Sequence, residues 1–210
     1  MKYLGKPAGM WALFAGSFEK HLTVEFDLTA GQAKDVAARA KKKYREIIAK
    51  LPEFDKRDRF EMNIVNCAML AAFILCMPQR PDIKTLTDYY AAAMMTPTMK
   101  AFCRASGKKK FTPKDIEGMK ATAKLRAGDR NPYSWNMDFF EYEDGSGYEA
   151  RFTTCGICTL MQVLGLYDLT SALCHLDYTM SDAGGASDFV REYTLASGGP
   201  YCDCGYHKKQ

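Results

Sequence analysis

The hydrophobic grammar of this chain changes once, after Gly128, and that change limits the possible folds more than any other feature. Upstream, apolar residues recur at helical spacing. Asp27-Leu-Thr-Ala30 opens a helix in which Val36, Ala37, Ala40, Tyr44, Ile47 and Ile48 form one stripe that ends before Pro52. Residues 55–76 predict a second helix, apolar on nearly every side in its later part and stopped by Pro78, hence a central and mostly buried element. Residues 86–105 predict a third helix, bent near Pro97. Thr112-Pro113 supplies a capping residue and a first-turn proline for a fourth helix that runs to Leu125.

Downstream the apolar period drops to two. Residues 135–142 and 148–154 flank Glu143-Asp-Gly-Ser-Gly147 and predict a β-hairpin, with Tyr148, Ala150 and Phe152 on one face and Glu149, Arg151 and Thr153 on the other. Helical segments are expected over 156–164 and 169–180, before Gly184-Gly185. Residues 189–195 and 201–207 then flank Ala196-Ser-Gly-Gly-Pro200 as a second hairpin. The expected fold is α+β: a helical N-terminal half packed on an antiparallel sheet, with β-β-α-α-β-β order in the C-terminal half. With no repeat or linker in view, residues 1–210 are expected to form a single domain, mainly helical over 1–130 and α+β over 131–210.

Composition sets aside several functions. A hydrophobic fraction of 47% and a charged fraction of 26% are those of an ordinary globular protein. The net charge is only +4, and the clusters Lys41-Lys42-Lys43 and Lys108-Lys109-Lys110 lack interleaved aromatics, so they read as solvated faces and no nucleic-acid partner is expected. The run 10–15 is too brief for a membrane span and is followed by Glu19, Lys20 and His21, so no membrane partner is expected either. Eight cysteines would suit four disulfides, but such frameworks belong mainly to small secreted chains, and 210 residues can bury an adequate core. The expectation is a cytoplasmic protein with reduced thiols.

Five of those cysteines fall in the last quarter of the chain: Cys155, Cys158, Cys174, Cys202 and Cys204. C-x-x-C spacing can grip zinc or an iron–sulfur cluster, but Cys202 and Cys204 form C-x-C and lack the matching knuckle, so no cofactor is expected and zinc stays an alternative. The same pair at a helix start suits a redox dithiol, although no thioredoxin-like βαβ context surrounds it. Free cysteine also serves as a small buried apolar residue, which suits Cys67, Cys76 and Cys103. Cys174 and Asp177 are spaced i, i+3 and share a helix face, whereas His175 points elsewhere.

Read together, Cys155, Leu164-Gly-Leu166, Leu173-Cys-His-Leu-Asp177, Phe189-Val-Arg191, Thr194-Leu-Ala196, Gly198 and Cys202-Asp203 resemble the C-terminal signature of the L-2-amino-thiazoline-4-carboxylic acid hydrolase family. The resemblance covers roughly residues 150–206. Three positions depart from the family pattern: Thr154-Cys-Gly156 stands for Arg-Cys-Pro, Glu192 for a threonine, and Cys204 for an aromatic. Cys158 is additional to the family core.

The resemblance implies hydrolysis of a small cyclic amidine or thiazoline at a C–N or C–S bond. It implies Cys174, Asp177 and Cys155 as catalytic candidates, with Arg191, Thr194, Cys202 and Asp203 around the substrate. Cys174 is a candidate nucleophile, although a neighbouring carboxylate raises a thiol's pKa; alternatively Asp177 activates water and the thiols donate protons or line the pocket. Arg191 offers a planar fork for a substrate carboxylate, and in a regular strand Thr194 would face the other way. Asp203 would pair with Arg191 or a lysine. The competing readings are a non-catalytic small-molecule-binding domain with a cysteine-lined pocket, similar in layout to four-vinyl-reductase-like domains, and a zinc- or iron–sulfur-binding protein.

Overall fold

The structure, a computed structural model, describes residues 1–128 and 130–209; Asp129 and Gln210, which the expected 1–130 and 131–210 parts include, lie outside it. Its first half is helical: α1 Lys6–Glu25, α2 Ala30–Lys50, α3 Glu61–Ile74, α4 Ile83–Met94, α5 Pro97–Gly107 and α6 Pro113–Arg126. The second half carries β1 Asp138–Glu141, β2 Gly147–Phe152, α7 Gly156–Val163, α8 Thr170–Cys174, α9 Leu176–Gly184, β3 Ser187–Val190 and β4 Cys202–Lys208. The strands form one antiparallel sheet in the order β1-β2-β4-β3. The fold is α+β, as the change of period at Gly128 implies.

Helix α2 starts where its sequence predicts. Thr29 accepts a hydrogen bond from Gln32 N, while the Gln32 side chain receives Thr29 N–H, a reciprocal cap that satisfies two amides left open by helix geometry. Beyond its exposed first turn, helix α3 is buried on nearly every side, with Ile64, Val65 and the run Ala68–Phe73 fully buried. It is shorter than the expected 55–76. Asp55 accepts from Arg57 N and Asp58 from Phe60 N, and these local bonds hold 55–60 in a loop rather than in a helical turn. The expected bent helix over 86–105 is two helices, because Thr96 caps a new start at Met99 N with Pro97 in its first turn. Helix α1 was not anticipated; Met10, Phe14, Phe18 and Leu22 form its buried stripe at every fourth residue.

One core runs from Met10 through α2, α3 and α4 to Leu160, Leu173 and Leu176 in the second half. It is rich in rings: Trp11 stacks on Tyr44 and Phe73, and Phe18 meets Phe73, Tyr89 and Tyr90. Two buried tyrosines donate to backbone carbonyls, Tyr44 to Pro7 O and Tyr89 to Phe18 O, so their hydroxyls are satisfied inside.

The inner face of the sheet carries Tyr148, Ala150, Phe152, Cys202, Cys204, Tyr206 and Phe189, paired across the strands as period-two alternation requires. It packs on Met119 and Ala123 of α6 and on Tyr178 of α9. The last strands differ from expectation. β3 stops at Val190 rather than continuing to Leu195, because the Asp203 carboxylate takes the N–H groups of Glu192 and Tyr193 and draws the chain off the ladder. A 3-10 turn at Leu195–Ser197, capped by Thr194, then leads back to β4.

Candidate active site

The segment joining β2 to α7 is built against residues 133–136. Asn136 clamps it: its side-chain oxygen accepts from Thr153 N, Thr154 N and Thr154 Oγ1, and its own N–H donates to Thr154 Oγ1. Gly156 is required next, since a β-carbon there would lie 2.1 Å from Tyr133 O. The approach of 133–136 is itself fixed by a buried network. Arg126 donates to Asp58 at 2.5 Å and to Ser134 at 3.1 Å, and Ser134 donates to Asp58 at 2.6 Å. All three are almost wholly buried, at 5%, 3% and 1% exposure for Arg126, Asp58 and Ser134. A charge so placed is tolerated only when paired and hydrogen-bonded.

That scaffold sets Cys155 at the N-cap of α7 with an extended backbone (φ −137°, ψ 114°), and Cys158 one turn inside the helix. The sulfur makes no regular capping bond. Hydrogen bonding from the Cys158 thiol lowers the Cys155 pKa most; burial works against it, and the amides of Cys158 and Ile157 and the Trp135 indole lower it further, to about 7. The same contact with Cys155, together with burial, pushes Cys158 up. The pair therefore loses its first proton at Cys155, with the helix N-terminus and neighbouring donors supporting the thiolate.

Both cysteines line a cleft of about 370 Å³ whose other walls include Thr153, Thr159, Gln162, Tyr167 and Leu195. Tyr167 closes one side by donating to Leu195 O at 3.1 Å, and Leu195 N donates to Cys202 Sγ at 3.2 Å. Thr194, Cys202 and Asp203 thus shape the rim of the cleft: Thr194 caps the turn that presents Leu195, Cys202 holds its amide, and Asp203 anchors the chain before it. The expected pairing of Asp203 with Arg191 or a lysine is not made; two backbone amides occupy its carboxylate instead.

Behind the cleft is a second group. Arg191, expected on a strand, lies one residue beyond β3 and is steadied by hydrogen bonds instead. It donates to Cys174 O at 3.0 Å, to Asp177 Oδ2 at 2.5 Å and to Cys204 Sγ at 2.9 Å. Its side chain is 6% exposed, that of Asp177 45%. Cys174 and Asp177 do meet, on either side of His175, where α8 passes into α9. Burial raises the Cys174 thiol well above its ordinary value; Arg191 opposes this, and Cys155, Asp177 and Cys202 add to it. Burial likewise raises Cys202, and Cys204 to about 12. His175 is exposed and stacks on Tyr178.

Cys67, Cys76 and Cys103 are buried in the helical half, and all eight cysteines are unpaired. Among the described residues no group of three or more His, Cys, Asp or Glu side chains is arranged to hold a metal ion, and no helix is long and apolar enough to cross a membrane. The contributions of Trp135, Asn136 and Tyr167 were not anticipated. Their signal is spatial: Trp135 and Asn136 stand some twenty residues before the segment they support.

Fold and site together define an α+β protein in which the start of a helix sets two cysteines in the wall of a small cleft. The chain belongs to the L-2-amino-thiazoline-4-carboxylic acid hydrolase family, whose model matches residues 62–206, from α3 into β4. The family's description is that of a hydrolase acting on a small molecule. No curated protein and no solved structure matched the chain.

Proposed function

We propose that this protein opens a small cyclic amidine of the thiazoline type by cleaving a ring C–S bond, with Cys155 as the nucleophile. The observation that carries the reading is Cys155 at the head of α7 and in the cleft wall, its thiolate favoured near neutral pH, in a chain of a hydrolase family. A thiolate is the reactive form of cysteine, and the carbon between sulfur and nitrogen in such a ring is electrophilic.

Cys155 Sγ attacks that carbon, the ring C–S bond breaks, and the substrate sulfur leaves as a thiolate that takes a proton from solvent. Water then adds to the same carbon, the bond to Cys155 breaks, and a carbamoyl product departs while the thiolate is regenerated. The net change is addition of one water. The leaving thiol has an ordinary pKa of about 8.5, so it needs no strong acid. Thr159 and Gln162 supply neutral polar contacts to the ligand. The half-exposed Asp177 carboxylate attracts a cationic amidine towards the cleft, and Arg191 acts as a positioning residue, holding Asp177 and the α8–α9 junction. Thr194, Cys202 and Asp203 keep Leu195 at the rim.

The test uses L-2-amino-thiazoline-4-carboxylate and follows the release of free thiol. Wild-type protein is expected to turn it over, and Cys155→Ser to lose at least about 10³-fold in rate. Full activity in Cys155→Ser sinks the assignment; substrate recovered bound and unchanged from the wild type favours a binding domain.

A further inference from the structure

Cys158 forms and breaks no bond to carbon in the proposed hydrolysis, yet its thiol is the main support of the Cys155 thiolate. Cys155 caps α7 and Cys158 stands one turn inside it, the C-x-x-C placement that sets two thiols against each other at a helix start. Both thiols are partly exposed and line the same cleft, so a small reagent reaches them without unfolding. The other cysteines differ: Cys67, Cys76, Cys103, Cys202 and Cys204 are buried, and Cys174 is absent from the cleft wall.

We propose that Cys155 and Cys158 form an oxidisable dithiol, with Cys155 as the attacking thiol and Cys158 as the resolving one, which closes to a disulfide by exchange with a low-molecular-weight disulfide. The Cys155 thiolate attacks one sulfur of glutathione disulfide, a mixed disulfide forms, and one glutathione leaves as thiolate. Cys158 then gives up its proton and attacks the Cys155 sulfur, expelling the second glutathione. Two protein thiols are oxidised and one glutathione disulfide is reduced to two glutathiones. Exchange is fastest when the attacking thiol titrates near ambient pH, and Cys155 does so. Loss of Cys158's high pKa is expected once Cys155 is a neutral mixed disulfide, because the sulfur charge that holds its proton has gone. This chemistry stands apart from the hydrolase reading; if Cys155 is also the hydrolytic nucleophile, the disulfide switches it off.

The test treats fully reduced protein with glutathione disulfide, traps remaining thiols with N-ethylmaleimide and maps every cysteine by peptide mass spectrometry. The wild type is expected to lose two of its eight thiols, both within one peptide, as a Cys155–Cys158 disulfide. Cys158→Ser is expected to stop at glutathione on Cys155, and Cys155→Ser to leave Cys158 labelled by maleimide. Cys155 that stays maleimide-labelled in the wild type overturns the proposal. So does a wild-type mixed disulfide as persistent as that of Cys158→Ser, or a first bridge between any other pair. None of these readouts depends on turnover.

Discussion

Two thiols of the candidate site, Cys155 in the cleft wall and Cys174 outside it, sit at opposite ends of helices and have their pKa moved in opposite directions. Cys155 heads α7, where a neighbouring thiol, two amides and an indole all favour negative charge. Cys174 ends α8, half-buried as Cys155 is, with burial and the Asp177 charge both raising its pKa. Its one favourable neighbour, Arg191, is already shared among Asp177, Cys204 Sγ and the Cys174 carbonyl. The same side chain is thus favoured as thiolate in one place and as thiol in the other, and neighbouring donors and burial rather than residue type set the direction.

Activity separates the two most strongly. Cys155→Ser is expected to fall by at least about 10³-fold and Cys174→Ala by no more than about tenfold, read as thiol release; equal losses would erase the distinction. Gly156→Ala comes next, because its β-carbon must push the Tyr133 carbonyl away, moving Trp135 and the head of α7 together. A destabilisation of about 1–3 kcal/mol is expected, read as a fall in Tm of about 3–10 °C, with reduced Cys155 reactivity; an unchanged Tm would show that the close approach is dispensable.

Asp177→Asn probes the other region. It leaves the buried Arg191 guanidinium without its carboxylate, but the half-exposed site lets water share the loss, so about 2 kcal/mol is expected rather than the 3–5 of a sealed pair. Urea denaturation measures this, and Cys155 reactivity should hardly change. Trp135→Phe keeps a ring against Phe60 while deleting the indole donor, a weaker support than the Cys158 thiol, and is expected to raise the Cys155 titration midpoint slightly.

Much of this arrangement was legible before the structure. The change of apolar period after Gly128 marks where helices give way to the sheet, and Thr29 and Thr112 mark helix starts through local bonds that need no partner from afar, whereas Pro97, read as a bend, is the first residue of a new helix. The stripe Met10, Phe14, Phe18 and Leu22 is present in the sequence too, but no capping side chain announces α1, and Gly5 precedes it at positive φ. Long-range contacts left no such mark. Nothing local ties Asp58 to Arg126 and Ser134, or Trp135 to Cys155. Spacing put Cys174 and Asp177 on one helix face, whereas the chain passes from α8 to α9 between them, and spacing could not weigh burial against the Arg191 contact.

The central claim, that Cys155 is the activated thiol and Cys174 is held protonated, is tested most directly by site-resolved alkylation with iodoacetamide between about pH 5 and about pH 10. A lowered pKa means that thiolate appears at lower pH, so Cys155 labelling is expected to rise to half its limit near pH 7, while Cys174 labelling stays low across the range. A Cys155 midpoint near the ordinary thiol value of about 8.5, or Cys174 labelling ahead of Cys155, would contradict the account.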